Sequence, residues 1–192
     1  MMVNKWSGKW CEFLLPSIGF IAIQNLFLLI NLPSVITAFI ISPIIILYFL
    51  KKVDIRACTV PLKLTVKDFA LLIGVVLCVI GATLVFNGGE HSVGIANVNI
   101  LNAVVAVIIA PINEELVYRG LTYMRGRDHF GVPFSTIVSS LLFAVGHTSF
   151  STMISAFFVG MILNAIYQKY GNIFIPIIVH CFINGILMIV YL

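Results

Sequence analysis

The sequence predicts an all-α, polytopic membrane helix bundle of about seven transmembrane helices with a cytoplasmic N-terminus. Three observations predict it. The 192-residue chain is 61% hydrophobic and only 9% charged, with a mean hydropathy of +1.14; a soluble domain carries about 25% charged residues. Its apolar residues come in runs that approach the roughly 20 residues needed to cross a bilayer. Its Lys and Arg fall in short segments between those runs. This last pattern also excludes nucleic acid as a partner despite a net charge of +4, because the basic residues are topology signals rather than a binding face. The lipid bilayer is the expected surrounding, and a multi-pass protein of a bacterial plasma membrane the expected location.

Seven apolar runs are candidate spans. Phe13–Asn31 is the first, an uncleaved span because no small-residue cleavage site follows it. Pro33–Leu50 follows after almost no loop, so the two form a tight hairpin. The third is Phe69–Phe86, and the fourth begins near Ile100 and continues to Met124, where Arg125-Gly126-Arg127 makes a turn. The fifth, from about Pro133 to His147, is short; Phe150–Tyr167 and Ile173–Leu192 complete the set.

Lys5 and Lys9, then Lys51, Lys52, Arg56, Lys63 and Lys67, then Arg125 and Arg127, then Lys169 all fall on one side of this arrangement. Glu90 falls on the other. The positive-inside rule makes the basic side cytoplasmic. The chain reads as one integral-membrane domain over 1–192, with a hairpin and basic loop in 1–68 and the chemistry in 69–192. In the basic loop, Leu62, Leu64 and Val66 alternate with Lys63, Thr65 and Lys67, as in a segment lying on an anionic surface or a plain polar loop. Gly74, Cys78 and Ala82, and Ala156 and Gly160, are expected to let helices pack closely. The four cysteines have neither disulfide nor zinc-ribbon spacing.

One stretch breaks the apolar pattern: Pro111-Ile-Asn-Glu-Glu-Leu-Val-Tyr-Arg-Gly120. A charge at mid-bilayer costs roughly 2.5–3.5 kcal/mol on insertion scales and marks function. Counting along the helices puts Glu115 about 14 Å, His180 about 14 Å and His147 about 20 Å from the cytoplasmic helix ends. Three helices therefore bring Glu and His to one layer. Adjacent helical residues point about 100° apart, so Glu114 and Glu115 are not expected to aim at one point. Glu115 and Arg119 are i,i+4 in the favoured order, which leaves Glu114 as the candidate base. His180 and Asn184 share a face of the last helix. A helix-end histidine such as His147 is often only a satisfied polar residue, and His180 with Asn184 also suits an inter-helix hydrogen bond.

As a set, these groups carry the equipment of amide hydrolysis. A carboxylate and an imidazole hold and deprotonate a water, and a second imidazole and an amide N–H stabilise an oxyanion. Glu114, His147 and His180 also suit a divalent metal such as Zn, although this is not the HExxH pattern. The cofactor expectation is therefore either none or such a metal.

Glu114-Glu115-x-x-x-Arg119, Phe143-x-x-x-His147 and His180-x-x-x-Asn184 resemble the three motifs of the CPBP intramembrane proteases, which include the type II CAAX prenyl endopeptidases and the bacterial Abi proteins. The resemblance covers about residues 69–192. It implies a hydrolase, an endopeptidase commonly classed as a metalloprotease, with a catalytic cavity open toward the cytoplasm. It implies that Glu114 and His147 activate water, that His180 and Asn184 stabilise the oxyanion, and that Glu115 and Arg119 support the geometry. The implied substrate is a peptide or membrane-tethered protein, through CAAX-type processing or bacteriocin maturation and self-immunity. Two alternatives stand beside it: a non-enzymatic membrane immunity protein protecting against a bacteriocin, and a transporter relaying protons. The second is weakened by the lack of an inverted repeat.

Overall fold

A computed structural model describes residues 3–30, 32–86, 99–147 and 149–191. Glu90, Asn31, Leu192 and the side chain of Lys5, all named above, lie outside the described residues. The elements are α1 (Val3–Leu29), α2 (Ser34–Lys52), a short α3 (Ile55–Cys58) and α4 (Val66–Phe86). They continue with α5 (Ile100–Phe130), α6 (Val132–Val145), α7 (Phe150–Tyr170) and α8 (Phe174–Tyr191). Among the described residues the only extended pairing is an isolated bridge between Thr59 and Asn172. The protein is an all-α polytopic membrane bundle.

Among the described residues, six helices are long and apolar enough to cross a membrane. The fifth predicted run, α6, has 14 residues, which span about 21 Å and fall short of a 30 Å hydrocarbon core.

Local signals set the boundaries. Asn99 caps α5 by accepting from the Asn102 N–H at 2.8 Å. Thr65 and Asp68 exchange backbone and side-chain hydrogen bonds at the start of α4, and Ser149 with Thr152 forms a capping box on α7. Gly171 ends α7 in the left-handed region, with φ of 60°.

The glutamate helix is longer than the sequence suggested. It does not turn at Arg125-Gly126-Arg127 but runs to Phe130 and stops at Gly131, whose φ is 86°. Gly126 lies within the helix, and glycine suits it because a side chain there would meet the Phe13 ring and the Ser135 hydroxyl. It serves contact between helices. Within the 51–67 segment Leu62, Lys63, Thr65, Val66 and Lys67 are exposed, while Cys58 and Val60 are tied to another element. Val60 N–H donates to Gly171 O, Ile173 N–H to Cys58 O and Asn172 Nδ2 to Val60 O, which clamps the basic loop to the start of α8.

The small residues divide. A Cβ on Gly160 would lie 3.0 Å from Ser140 Cβ and 3.1 Å from its Cα, so α6 and α7 touch closely there. Gly74, Cys78 and Ala82 are exposed, and nothing lies within 4 Å of a Cβ on Gly74; the expected packing role fails on α4. Gly160→Ala is expected to cost about 1–3 kcal/mol by overpacking, read as a lower thermal midpoint in detergent.

All described basic ends meet at one pole. Arg125 Nη2 donates to Lys52 O at 3.3 Å and Lys169 Nζ pairs with Asp68 at 3.0 Å.

Candidate active site

The site is built on α5, whose backbone is not uniformly α-helical. Val105–Ile109 and Leu116–Tyr123 are π-helical, a form that gathers at functional sites. The first stretch has a local cause. Ala110 N–H donates to Val105 O, five residues back, and in that register Pro111 would serve Ala106. Proline has no N–H. The Ala106 carbonyl instead accepts from Asn184 Nδ2 on α8, at 3.0 Å. One N–H of the Asn184 amide is thus committed to backbone.

The carboxylates meet one histidine. His180 Nδ1 lies 2.8 Å from Glu115 Oε1, and His180 Nε2 lies 3.7 Å from Glu114 Oε2. The expectation that the two glutamates diverge is corrected. Their side chains do leave α5 in different directions, but an imidazole inserted between them presents a nitrogen to each. The Nδ1 contact to a carboxylate makes that nitrogen the donor. The 3.7 Å gap on the other edge is too long for a direct hydrogen bond.

Glu115 is fully buried and also accepts from Arg119 Nη1 at 3.0 Å. Arg119, equally buried, donates from Nη2 to Gly160 O at 3.2 Å and lies 4.7 Å above the Phe143 ring. The predicted Glu115–Arg119 pair therefore exists, and it is shared with His180.

His147 stands two residues beyond the end of α6 rather than inside it. Its Nδ1 donates to Phe143 O at 3.0 Å, which leaves Nε2 as the acceptor. No described polar contact joins His147 to Glu114. It reaches the centre through Phe143, whose ring sits edge-on to His147 at 5.0 Å and to His180 at 5.7 Å. His147, His180 and Asn184 line a common cavity of about 200 Å³. A second cavity of about 590 Å³ also reaches His147, between it and the α1–α2 hairpin. Both lie away from the basic pole, bordered by Tyr191, Thr152 and Thr83 in one case and Leu28 and Ser34 in the other. This departs from the cytoplasmic opening that the resemblance implied.

Among the described residues, no three His, Cys, Asp or Glu side chains converge as a metal-ligand set. Glu114, His147 and His180 are not gathered into one in this arrangement, and no step below passes through a metal.

Sequence reasoning missed several supporting groups. Asn164, fully buried, donates to Thr136 O and to the hydroxyls of Ser139 and Ser140 at 3.1–3.3 Å. Asn113 donates to Ser42 Oγ at 2.7 Å. An asparagine inside an apolar run was the available signal for both. The Gly160 carbonyl under Arg119 had no signal in the sequence.

Fold and site define a membrane-embedded bundle with a carboxylate–imidazole centre. Residues 96–186 match the model of a family described as type II CAAX prenyl endopeptidase Rce1-like. The three motifs fall inside that match, and the matched segment is similar to the CPBP family of membrane proteases. The chain is 32% identical over 88 residues to the membrane-embedded CAAX protease MroQ of Staphylococcus aureus (strain USA300), covering 43% of this chain and 36% of that one. It is 30% identical over 86 residues to an uncharacterized 24.3 kDa protein of Escherichia coli, covering 42% and 40%. The match thus spans less than half the length of either curated relative. No solved structure matches.

Proposed function

We propose that the protein is an intramembrane endopeptidase that hydrolyses a peptide bond in a membrane-associated peptide or protein. The observation that carries the reading is the pair of carboxylates on the two nitrogens of His180, with His147 on the same cavity. Glu115 fixes the ring by its Nδ1 contact, and Arg119 fixes Glu115. Glu114, less buried, with 18% side-chain exposure, is the base.

In this mechanism Glu114 and the free Nε2 of His147 hold a water. Its proton passes to Glu114 as its oxygen bonds to the scissile carbonyl carbon. The carbonyl oxygen becomes an oxyanion. His180 donates to it from Nε2, which requires the imidazolium form, and the second N–H of Asn184 adds a donor. Collapse breaks the C–N bond, and the proton on Glu114 goes to the leaving amine. Each such proton transfer is worth roughly 10²–10⁴-fold.

The test is a comparison of new peptide N-termini in membranes of cells expressing the wild type, His147→Ala or His180→Ala at matched levels. Termini that appear with the wild type alone are expected. Identical termini in all three would sink the reading. The same strains challenged with a bacteriocin address the non-enzymatic alternative, which predicts full protection by both variants.

A further inference from the structure

The cavity shared by His147, His180 and Asn184 is a narrow groove between α4, α7 and α8. Its α8 wall recurs every three or four residues, from His180 through Asn184 and Leu187 to Tyr191, which is one face of that helix. At 1.5 Å per residue this wall is about 16 Å long. Thr152, Ala156 and Val159 line the groove from α7. A volume of about 200 Å³ over that length cannot admit a helix, which is about 10–12 Å across. It admits an extended segment.

The third wall comes from a helix that carries none of the three motifs. Among the described residues Thr83 is the α4 member of the groove. Val76, Val79 and Ile80 of α4 pack in one core cluster with Val179 and Ile183 of α8, and Thr83 stands one turn beyond Ile80. It is 8% exposed. Helical Ser and Thr hydroxyls can return to the carbonyl four residues back, as Thr37 does to Pro33 O and Ser42 to Ala38 O. Thr83 does not. Its Oγ1 has no hydrogen-bond partner among the described residues, and unlike Ser155 Oγ it is not sealed within the protein. A polar group at an open, largely apolar wall calls for a partner that enters the groove.

The chemistry of that partner follows from the opposite wall. In the proposed mechanism His180 and the second N–H of Asn184 are donors to the scissile carbonyl. A bound backbone also carries N–H groups, and these need acceptors. A threonine hydroxyl supplies one. We propose that Thr83 is a substrate-binding residue: its Oγ1 accepts a backbone N–H of an extended substrate segment lying in the groove, beside the carbonyl that His180 and Asn184 hold. This rests on the endopeptidase reading. It adds to that reading a contact from outside the 96–186 match, and it requires the cut segment to leave helical form before cleavage.

The test uses a peptide spanning a cleavage site found from the new termini. Thr83→Val keeps the branched shape and removes the hydroxyl, and Thr83→Ser keeps the hydroxyl. Thr83→Val is expected to raise KM about three- to tenfold, the worth of one hydrogen bond, with kcat and the thermal midpoint little changed. Thr83→Ser is expected to stay close to the wild type. A wild-type KM in Thr83→Val overturns the proposal, as does a KM in Thr83→Ser equal to that of Thr83→Val. A second arm needs no turnover. Thr83→Cys is made with Glu114→Gln in a protein whose Cys11, Cys58, Cys78 and Cys181 are replaced by Ser or Ala. It is expected to react with a small methanethiosulfonate, and more slowly when the peptide is present at saturation. No reaction, or equal rates with and without peptide, overturns the proposal. If the wild type cleaves nothing, the endopeptidase reading fails and this contact falls with it; cleavage with an unchanged KM removes the contact alone.

Discussion

Glu114→Gln is expected to lower kcat by about 10²–10⁴-fold while leaving the folded protein intact. The amide is isosteric and cannot take the proton of the attacking water. Its other work is small: the 3.7 Å approach to His180 is not a direct hydrogen bond, and the side chain is 18% exposed. The thermal midpoint should therefore stay near that of the wild type, since losses away from buried networks fall within about 0.5 kcal/mol. Kinetics on a peptide from the new-terminus comparison, with melting of the same samples, checks both halves. Wild-type kcat in this variant would move the base elsewhere.

Arg119→Ala is expected to act through stability. It removes the cation from a fully buried carboxylate and strips the donor from the Gly160 carbonyl. Breaking a buried pair from one side costs about 3–5 kcal/mol, and the loss of the guanidinium over Phe143 adds to it. Lysine should not rescue the variant, because one ammonium lacks the planar fork that serves Glu115 and Gly160 together. In the double variant Glu115→Ala, Arg119→Ala the losses should sum to clearly less than the two single effects, since neither partner is left charged and alone. Chemical unfolding of the four proteins in one detergent measures this; additive losses would show that the pair is not coupled.

Much of the bundle could be read from the chain, because hydropathy and charge placement act over whole helices. Six long apolar helices stand where apolar runs predicted them, and the Glu115–Arg119 pair follows from i,i+4 spacing alone. What escaped was set by contacts between helices. The run through Arg125-Gly126-Arg127 is helical, and the glycine there makes room for the Phe13 ring of another helix. The convergence of both glutamates on His180 depends on a ring inserted from a helix 65 positions away in the chain. The commitment of Asn184 to Ala106 depends on a proline altering the register of another helix. Local spacing carries none of these.

The larger cavity has walls of two origins. His147, Asn113 and Ala110 lie within the segment that matches the family, whereas Gln24, Leu28 and Thr37 come from the hairpin that precedes it. Under the proposed reading, a change in the hairpin would alter the shape of that cavity while leaving Glu114, His147 and His180 in place.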